Sequence, residues 1–276
     1  MSARLRPPMP YAGGKQKVAG RIADLLPTNH LHYVEPYCGS MSVLFAKRPS
    51  VIETVNDIDG DVVNFFEVLR DKSDELGRRM ALTPHARAEF DLARDPGACD
   101  DEDPVVRAWR FWVRLTQSRG SRPSGKAGWR FVQGGTTRHS LAKYLDGYLA
   151  RVAPCAERLR EVSVECRPAL DVIREYDRPT TLFYVDPPYL GGTRSGVMYR
   201  SEMTGEDGHR ELLGLLAGIQ GKAVVSGYRT PLYDGLLTGW ERVDLPTTCM
   251  TGASRVESVW LNYEPPAAQD ELPEAA

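Results

Sequence analysis

Cysteine is scarce in this chain. The five residues (Cys38, Cys99, Cys155, Cys166 and Cys249) are odd in number, and no two are spaced as CxxC. That excludes a disulfide framework and gives no zinc signature. Histidine is equally sparse, with five residues and no cluster, so no metal centre is expected. No apolar run approaches the roughly 20 residues that a membrane helix needs. The segment MSARLRPPMP lacks the apolar stretch of a secretory signal, so cytosol is the expected compartment. A GxxxxGK[ST] phosphate loop is missing too, which argues against a P-loop nucleotide hydrolase. Net charge is small, −2, and taken alone suggests no affinity for nucleic acid.

That total conceals an uneven distribution. Residues 104–160 hold twelve Lys or Arg against two acids, Asp146 and Glu157, a surplus of ten. The remainder of the chain therefore carries −12. A basic segment in an acidic body is the pattern of a nucleic-acid-binding surface. The 276 residues are 42% hydrophobic and 26% charged, enough to bury a core and to form one or two domains.

Short apolar runs that lead into turn or polar residues predict strands at 32–36, 51–57, 161–166, 181–186, 222–227, 240–245 and 257–263. Helical spacing is present at 42–47, 59–70 and 207–219. Alternation of the two predicts an α/β, Rossmann-like sheet, mostly parallel. The last two strands have no helix between them, which predicts one antiparallel strand. Between residues 81 and 160 the alternation stops, and helices at 84–94, 105–118 and 141–160 surround a polar loop, 119–138. The expected organisation is a first part of the sheet domain (1–80), an inserted, small, mainly helical domain (81–160), a second part of the sheet domain (161–264) and a disordered tail (265–276).

Three segments carry chemistry. Asp186-Pro187-Pro188-Tyr189 follows the apolar run TLFYV, and ligands bind beyond the carboxyl ends of strands in open α/β sheets. The Asp186 carboxylate and a Pro187 carbonyl fixed by its ring are two acceptors, and Tyr189 is a stacking face. Together they suit a planar ring with an exocyclic amine; read alone, the segment is also a Pro-rich turn. Glu35-Pro36-Tyr37-Cys38-Gly39-Ser40 lies between a strand and a helix, as nucleotide cradles do. Asp57 lies 22 residues after Glu35, close to the spacing of a ribose-binding acid, although it also fits a helix cap. In Tyr11-Ala12-Gly13-Gly14-Lys15 the glycines let backbone approach a ligand, and Lys15 can pair with a carboxylate. A mobile turn with a solvated lysine is the plainer reading.

YAGGK (11–15), VEPYCGSMSV (34–43), VNDID (55–59) and FYVDPPY (183–189) occur in this order, with the basic insert between the last two. The chain thereby resembles the DPPY-type DNA adenine methyltransferases of bacteria and phages. The resemblance implies S-adenosylmethionine as methyl donor, the exocyclic N6 of adenine in double-stranded DNA as acceptor, base flipping, and no metal. It implies that Tyr11, Lys15, Glu35, Tyr37, Gly39, Asp57 and Asp186 hold the cofactor, and that Asp186, Pro187, Pro188 and Tyr189 form the catalytic cluster. The partner is then duplex DNA, met by a monomer or by a dimer on DNA, in the cytoplasm of a bacterium or an infected host.

Met41 stands where the family often has a second glycine. The insert, LTQSRGSRPSGKAGWRFVQGG (115–135), lacks the Asn-Arg-x-Gly and Asn-Val-Pro-Phe-Gly pattern associated with GATC, so a different or more permissive target is expected. Arg119, Arg122, Lys126, Arg130 and Arg138 are the candidate nucleic-acid contacts, since Arg reads base edges and phosphates. On the helix at 105–118, the aromatics Trp109, Phe111 and Trp112 are expected in the core, and Arg107, Arg110 and Arg114 on a solvated face. The loop 247–255 serves equally as a second contact or a plain hairpin. An RNA or single-strand adenine methyltransferase, or a non-catalytic nucleic-acid-binding protein with this fold, would share these motifs.

Overall fold

The structure is a computed structural model that describes residues 4–94, 103–121, 128–131, 141–190, 205–248 and 254–266. Its strands are β1 (His32–Glu35), β2 (Ile52–Asn56), β3 (Val162–Glu165), β4 (Thr181–Val185), β5 (Lys222–Gly227), β6 (Glu241–Thr248) and β7 (Ser254–Leu261). They form one seven-stranded sheet in the order β3-β2-β1-β4-β5-β7-β6. Neighbours from β3 to β5 are parallel, and β7 runs antiparallel to both β5 and β6. This is the predicted Rossmann-like sheet with a single reversed strand. Every residue of β4 is buried, as expected for a central parallel strand covered on both faces.

The last two strands extend further into their connection than the apolar pattern indicates. β6 continues through Pro246, which pairs with Val256, to Thr248 opposite Ser254. Proline cannot donate to a ladder, and the predicted strand ends just before it. β6 is an edge strand, where the missing N–H can face outward. The tip of this connection, residues 249–253, lies outside the described residues.

The helices are α1 (Ala19–Asp24), α2 (Ser42–Ala46), α3 (Gly60–Asp71), α4 (Ser73–Ala81), α5 (Arg87–Arg94), α6 (Pro104–Gln117), α7 (Leu141–Leu149), α8 (Val152–Leu159), α9 (Ala169–Tyr176), α10 (Gly205–Leu216) and α11 (Pro231–Leu236). Side-chain caps fix several starts: Asp59 accepts from the Asp61 N–H before α3, and Asp103 from the Val105 N–H before α6. The single helix expected over 141–160 is two. Pro154 lies in the first turn of α8. Its ring would clash with the carbonyl four residues back, so a continuous helix is broken there.

The core is continuous from β1 and α3 into α6 and α8. Phe65, Phe66, Phe111, Trp112 and Leu159 are all fully buried in one cluster, and the Trp112 indole donates to the Pro8 carbonyl at 3.1 Å. Trp109 is only half-buried and donates to Thr83 Oγ1 at 2.6 Å. Arg114 departs from the expected solvated face. It is buried, 4% exposed, and donates to Asp61 Oδ2 on α3 at 2.5 Å, while Arg107 Nε donates to Asp61 Oδ1 at 2.7 Å. A buried carboxylate thus ties the basic segment to α3. Arg158 on α8 pairs in the same way with buried Glu53 on β2, 2.8 Å from Oε1. Among the described residues, Arg107, Arg114 and Arg158 are therefore engaged by acids from the sheet half of the chain. Among the described residues no helix is long and apolar enough to cross a membrane.

Candidate active site

Parallel strands bring their carboxyl ends to one edge, and β2, β1 and β4 are neighbours. Glu35 is the last residue of β1, while Asp57 and Asp186 directly follow β2 and β4. Three acids far apart in sequence therefore meet at one edge. Asn56 fixes the surrounding turns: its amide donates to the carbonyls of Pro36 and Arg167 and accepts from the Arg167 N–H.

The turn after β1 curls around Asp57. Cys38 N–H donates to the Asn56 carbonyl at 2.8 Å, and Gly39 N–H to Asp57 Oδ2 at 2.9 Å. Asp59 N–H donates to Asp57 Oδ1 at 2.9 Å. Gly39 has a φ of +45°, and a Cβ there would meet the Tyr11 ring at 3.1 Å, so this position requires glycine. Met41 takes the left-handed conformation, φ 54°, before α2. Met41 thus keeps the backbone conformation that a glycine adopts freely. A fully buried Met41 side chain offsets a backbone cost of about 1–2 kcal/mol. Burial raises the Asp57 carboxyl to about 6 against the N–H groups that favour its charge. Burial likewise raises Glu35 to about 8, although the Tyr33 hydroxyl donates to it.

Lys15 is not a solvated lysine. It is 5% exposed, and its Nζ donates to both Asp186 oxygens, at 2.6 and 2.7 Å. Glu257 Oε1 lies 3.7 Å from the same Nζ. Burial would lower the Lys15 pKa, but the carboxylates of Asp186 and Glu257 outweigh it and hold the ammonium above its ordinary value. Ser226 Oγ, from β5, donates to Asp186 Oδ1 at 2.9 Å. The Tyr189 hydroxyl donates to Glu257 at 3.0 and 3.1 Å, and its ring stacks on Tyr228 with centroids 4.4 Å apart. Burial lifts Glu257 to about 7 in spite of the nearby Lys15.

A cavity of about 310 Å³ is lined by Tyr11, Lys15, Glu35, Tyr37, Gly39, Asp57, Asp186 and Pro188 among others. All the residues expected to hold a cofactor line it. Pro187 and Tyr189 do not; Tyr189 lies to the side, against Tyr228 and Glu257. Sequence reasoning missed Ser226, Tyr228 and Glu257. Ser226 and Glu257 sit in strands whose apolar pattern marked them only as sheet.

Of the expected nucleic-acid contacts, Arg122, Lys126 and Arg138 lie outside the described residues. Arg119 and Arg130 stand where a short antiparallel bridge, Ser118 to Trp129, closes the loop. Arg119 lies 4.5 Å over the Phe131 ring and Arg130 4.7 Å over Tyr144. Trp129 stacks on His85 and Phe131, with Arg87 4.7 Å above it. His85 and Arg87 were not foreseen, because their approach to Trp129 exists only in the fold. Ala12 N–H donates to the Ser121 carbonyl at 3.0 Å, which joins this loop to the Lys15 loop.

The family model described as D12 class N6 adenine-specific DNA methyltransferase matches residues 11–242. A curated relative, "Type II methyltransferase M1.LlaDCHI" from Lactococcus lactis subsp. cremoris, is 29% identical over 119 residues. That similarity spans 40% of this chain and 40% of the relative's length. The family match covers both the cavity loops and the basic segment, and on it the chain belongs to the D12 class of N6 adenine-specific DNA methyltransferases.

Proposed function

We propose that this protein transfers a methyl group from S-adenosylmethionine to the N6 amine of an adenine flipped out of duplex DNA. The observation that carries the reading is Asp186, held by Lys15 and Ser226 in the cavity that Asp57 also lines. The cavity suits that cofactor. Its glycines admit close backbone approach, and Asp57 offers acceptors to ribose hydroxyls. Asp186 brings a carboxylate toward a cationic ligand, and Glu35 lines the same cavity. When bound, S-adenosylmethionine supplies an electrophilic methyl group.

The chain's own residues must make the amine nucleophilic, because its lone pair is delocalised into the ring. A carboxylate offers about four acceptor directions. Among the described residues Lys15 takes two of those on Asp186 and Ser226 takes one, which leaves one for an amine N–H. The Pro187 carbonyl is the second acceptor in the proposal. Two such bonds favour a pyramidal nitrogen with a localised lone pair, and fixed acceptors act without reorganisation. In the proposal a base taken out of the stack packs against the aromatic pair of Tyr189 and Tyr228. Incubation with methyl-labelled S-adenosylmethionine and duplex DNA tests the reading; label retained on adenine supports it, and unlabelled DNA opposes it.

Two further results follow. Hydrogen bonds to a charged group contribute about 1.5–3 kcal/mol, so Asp57→Ala should weaken cofactor binding roughly ten- to a hundredfold. The Asp57 pKa, about 6, lies above the ordinary carboxylate value. The carboxyl is therefore protonated below that pH and loses acceptor capacity. Wild-type affinity should rise as pH increases through 6, while the Asp57→Ala profile stays flat there. Calorimetry that finds equal affinities, or a wild type indifferent to pH 5–7, would remove Asp57 from the ribose role.

The basic segment should meet phosphates with fewer charges than its composition indicates, since Arg107, Arg114 and Arg158 are engaged internally. With about four or five phosphate contacts, the log–log slope of duplex binding against salt should be roughly −4. A slope near zero would show that this segment does not contact the DNA backbone.

A further inference from the structure

We propose that Glu257 is a positioning residue of this site, holding the Tyr189 ring by its hydroxyl and sharing the Lys15 ammonium with Asp186. The inference rests on the methyl-transfer reading and deepens it.

Glu257 lies on β7, on the far side of β5 from the Asp186 strand, and is 4% exposed. A carboxylate at such a depth is costly unless it is paired. Its partners both belong to the candidate site. Both oxygens accept from the Tyr189 hydroxyl, at 3.1 and 3.0 Å, and Lys15 Nζ stands 3.7 Å from Oε1. The same Nζ lies 4.7 Å from the Tyr189 ring centroid. Glu257, Tyr189 and Lys15 therefore close a triangle, and Lys15 links it to Asp186.

The strand geometry repeats this arrangement one step away. Arg255 and Glu257 are two residues apart on β7, so they share a face. Arg255 donates to the Tyr228 hydroxyl at 2.7 Å, and Tyr228 is stacked on Tyr189. Each member of the aromatic pair is thus held at its hydroxyl from the same face of β7. A sheet strand is a rigid support, whereas Tyr189 follows two prolines in a loop. Without Glu257 the ring loses these hydrogen bonds at its hydroxyl, and Lys15 loses the second carboxylate beside it. Displacement of reacting groups by about 1 Å costs on the order of a hundredfold in rate.

The test compares single-turnover methyl transfer to duplex DNA in the full-length wild type, Glu257→Ala, Glu257→Gln, Tyr189→Phe and the Tyr189→Phe/Glu257→Ala double variant. Glu257→Ala should transfer about ten- to a hundredfold more slowly, with the cofactor Kd changed by less than about threefold. Glutamine still accepts from the tyrosine hydroxyl, so Glu257→Gln should recover most of the rate. Tyr189→Phe removes only that hydroxyl and should reproduce much of the Glu257→Ala loss. The double variant should be little slower than the slower single one, because both act through one contact. Should Glu257→Ala fail to fold, the loss in Tyr189→Phe and the rate kept by Glu257→Gln carry the test. Wild-type rates in Glu257→Ala, multiplying losses in the double variant, or glutamine no better than alanine would overturn the role of Glu257 alone. An inactive wild type would overturn the methyl-transfer reading, and this inference with it.

Discussion

Asp186→Ala is expected to lose methyl transfer by at least about a hundredfold while cofactor affinity stays within about tenfold. Removal of one fixed polar group aimed at a reacting centre typically costs 10²–10³ in rate, about 2.7–4 kcal/mol. Asp186 is more than an acceptor here, since its two oxygens hold Lys15 and one also accepts from Ser226. The alanine variant leaves the Lys15 ammonium with Glu257 at 3.7 Å as its remaining carboxylate. Some loss of stability will therefore accompany the loss of rate. Asp186→Asn separates the two effects. It keeps the volume and one acceptor oxygen but removes the charge, so it should fold as the wild type does and still transfer slowly. Wild-type rates in a folded Asp186→Asn protein would show that its carboxylate does not act on the amine.

Asp61→Ala should be the most damaging change to stability away from the cavity. Asp61 is 1% exposed and pairs with Arg114 and Arg107. Breaking a buried pair by removing one partner costs about 3–5 kcal/mol, because the other charge remains in the core uncompensated. Arg114 is itself buried on α6, so it cannot turn to solvent without moving the helix. Exposed pairs such as Arg160–Glu157 are worth about 0–1 kcal/mol at most, and Arg160→Ala is the matching control. Denaturant unfolding reads both variants. An Asp61→Ala midpoint close to that of Arg160→Ala would show that the α3–α6 junction does not depend on this carboxylate. The expected outcome also affects function, because α6 leads into the Ser118–Ser121 turn that meets the Lys15 loop.

The sheet was legible because its strands are apolar runs next to turn residues, and TLFYV before DPPY is the clearest of them. The acids at its carboxyl edge were legible for the same reason, since a strand's end fixes where the next residue stands. Among the described residues, four helices (α1, α4, α9 and α11) were not foreseen. Of these, α4 reads SDELGRRMA, in which Leu76 and Met80 alone are apolar and buried, and α1 and α11 are six residues each. Segments so short or so polar show little periodicity, and packing rather than propensity holds them. Arg114 reads as a surface charge because its partner Asp61 is 53 positions away. Glu257 reads as the start of the strand ESVWL. Only the sheet order, which puts β7 beside β5, carries it to Lys15 and Tyr189.

The most direct measurement is nucleoside analysis of duplex DNA after incubation with the wild-type protein and methyl-labelled S-adenosylmethionine, with Asp186→Ala in parallel. The account predicts that the label appears as N6-methyldeoxyadenosine with the wild type and is absent with the variant. Label on cytosine, label on RNA but not on duplex DNA, or equal label from both proteins would contradict it.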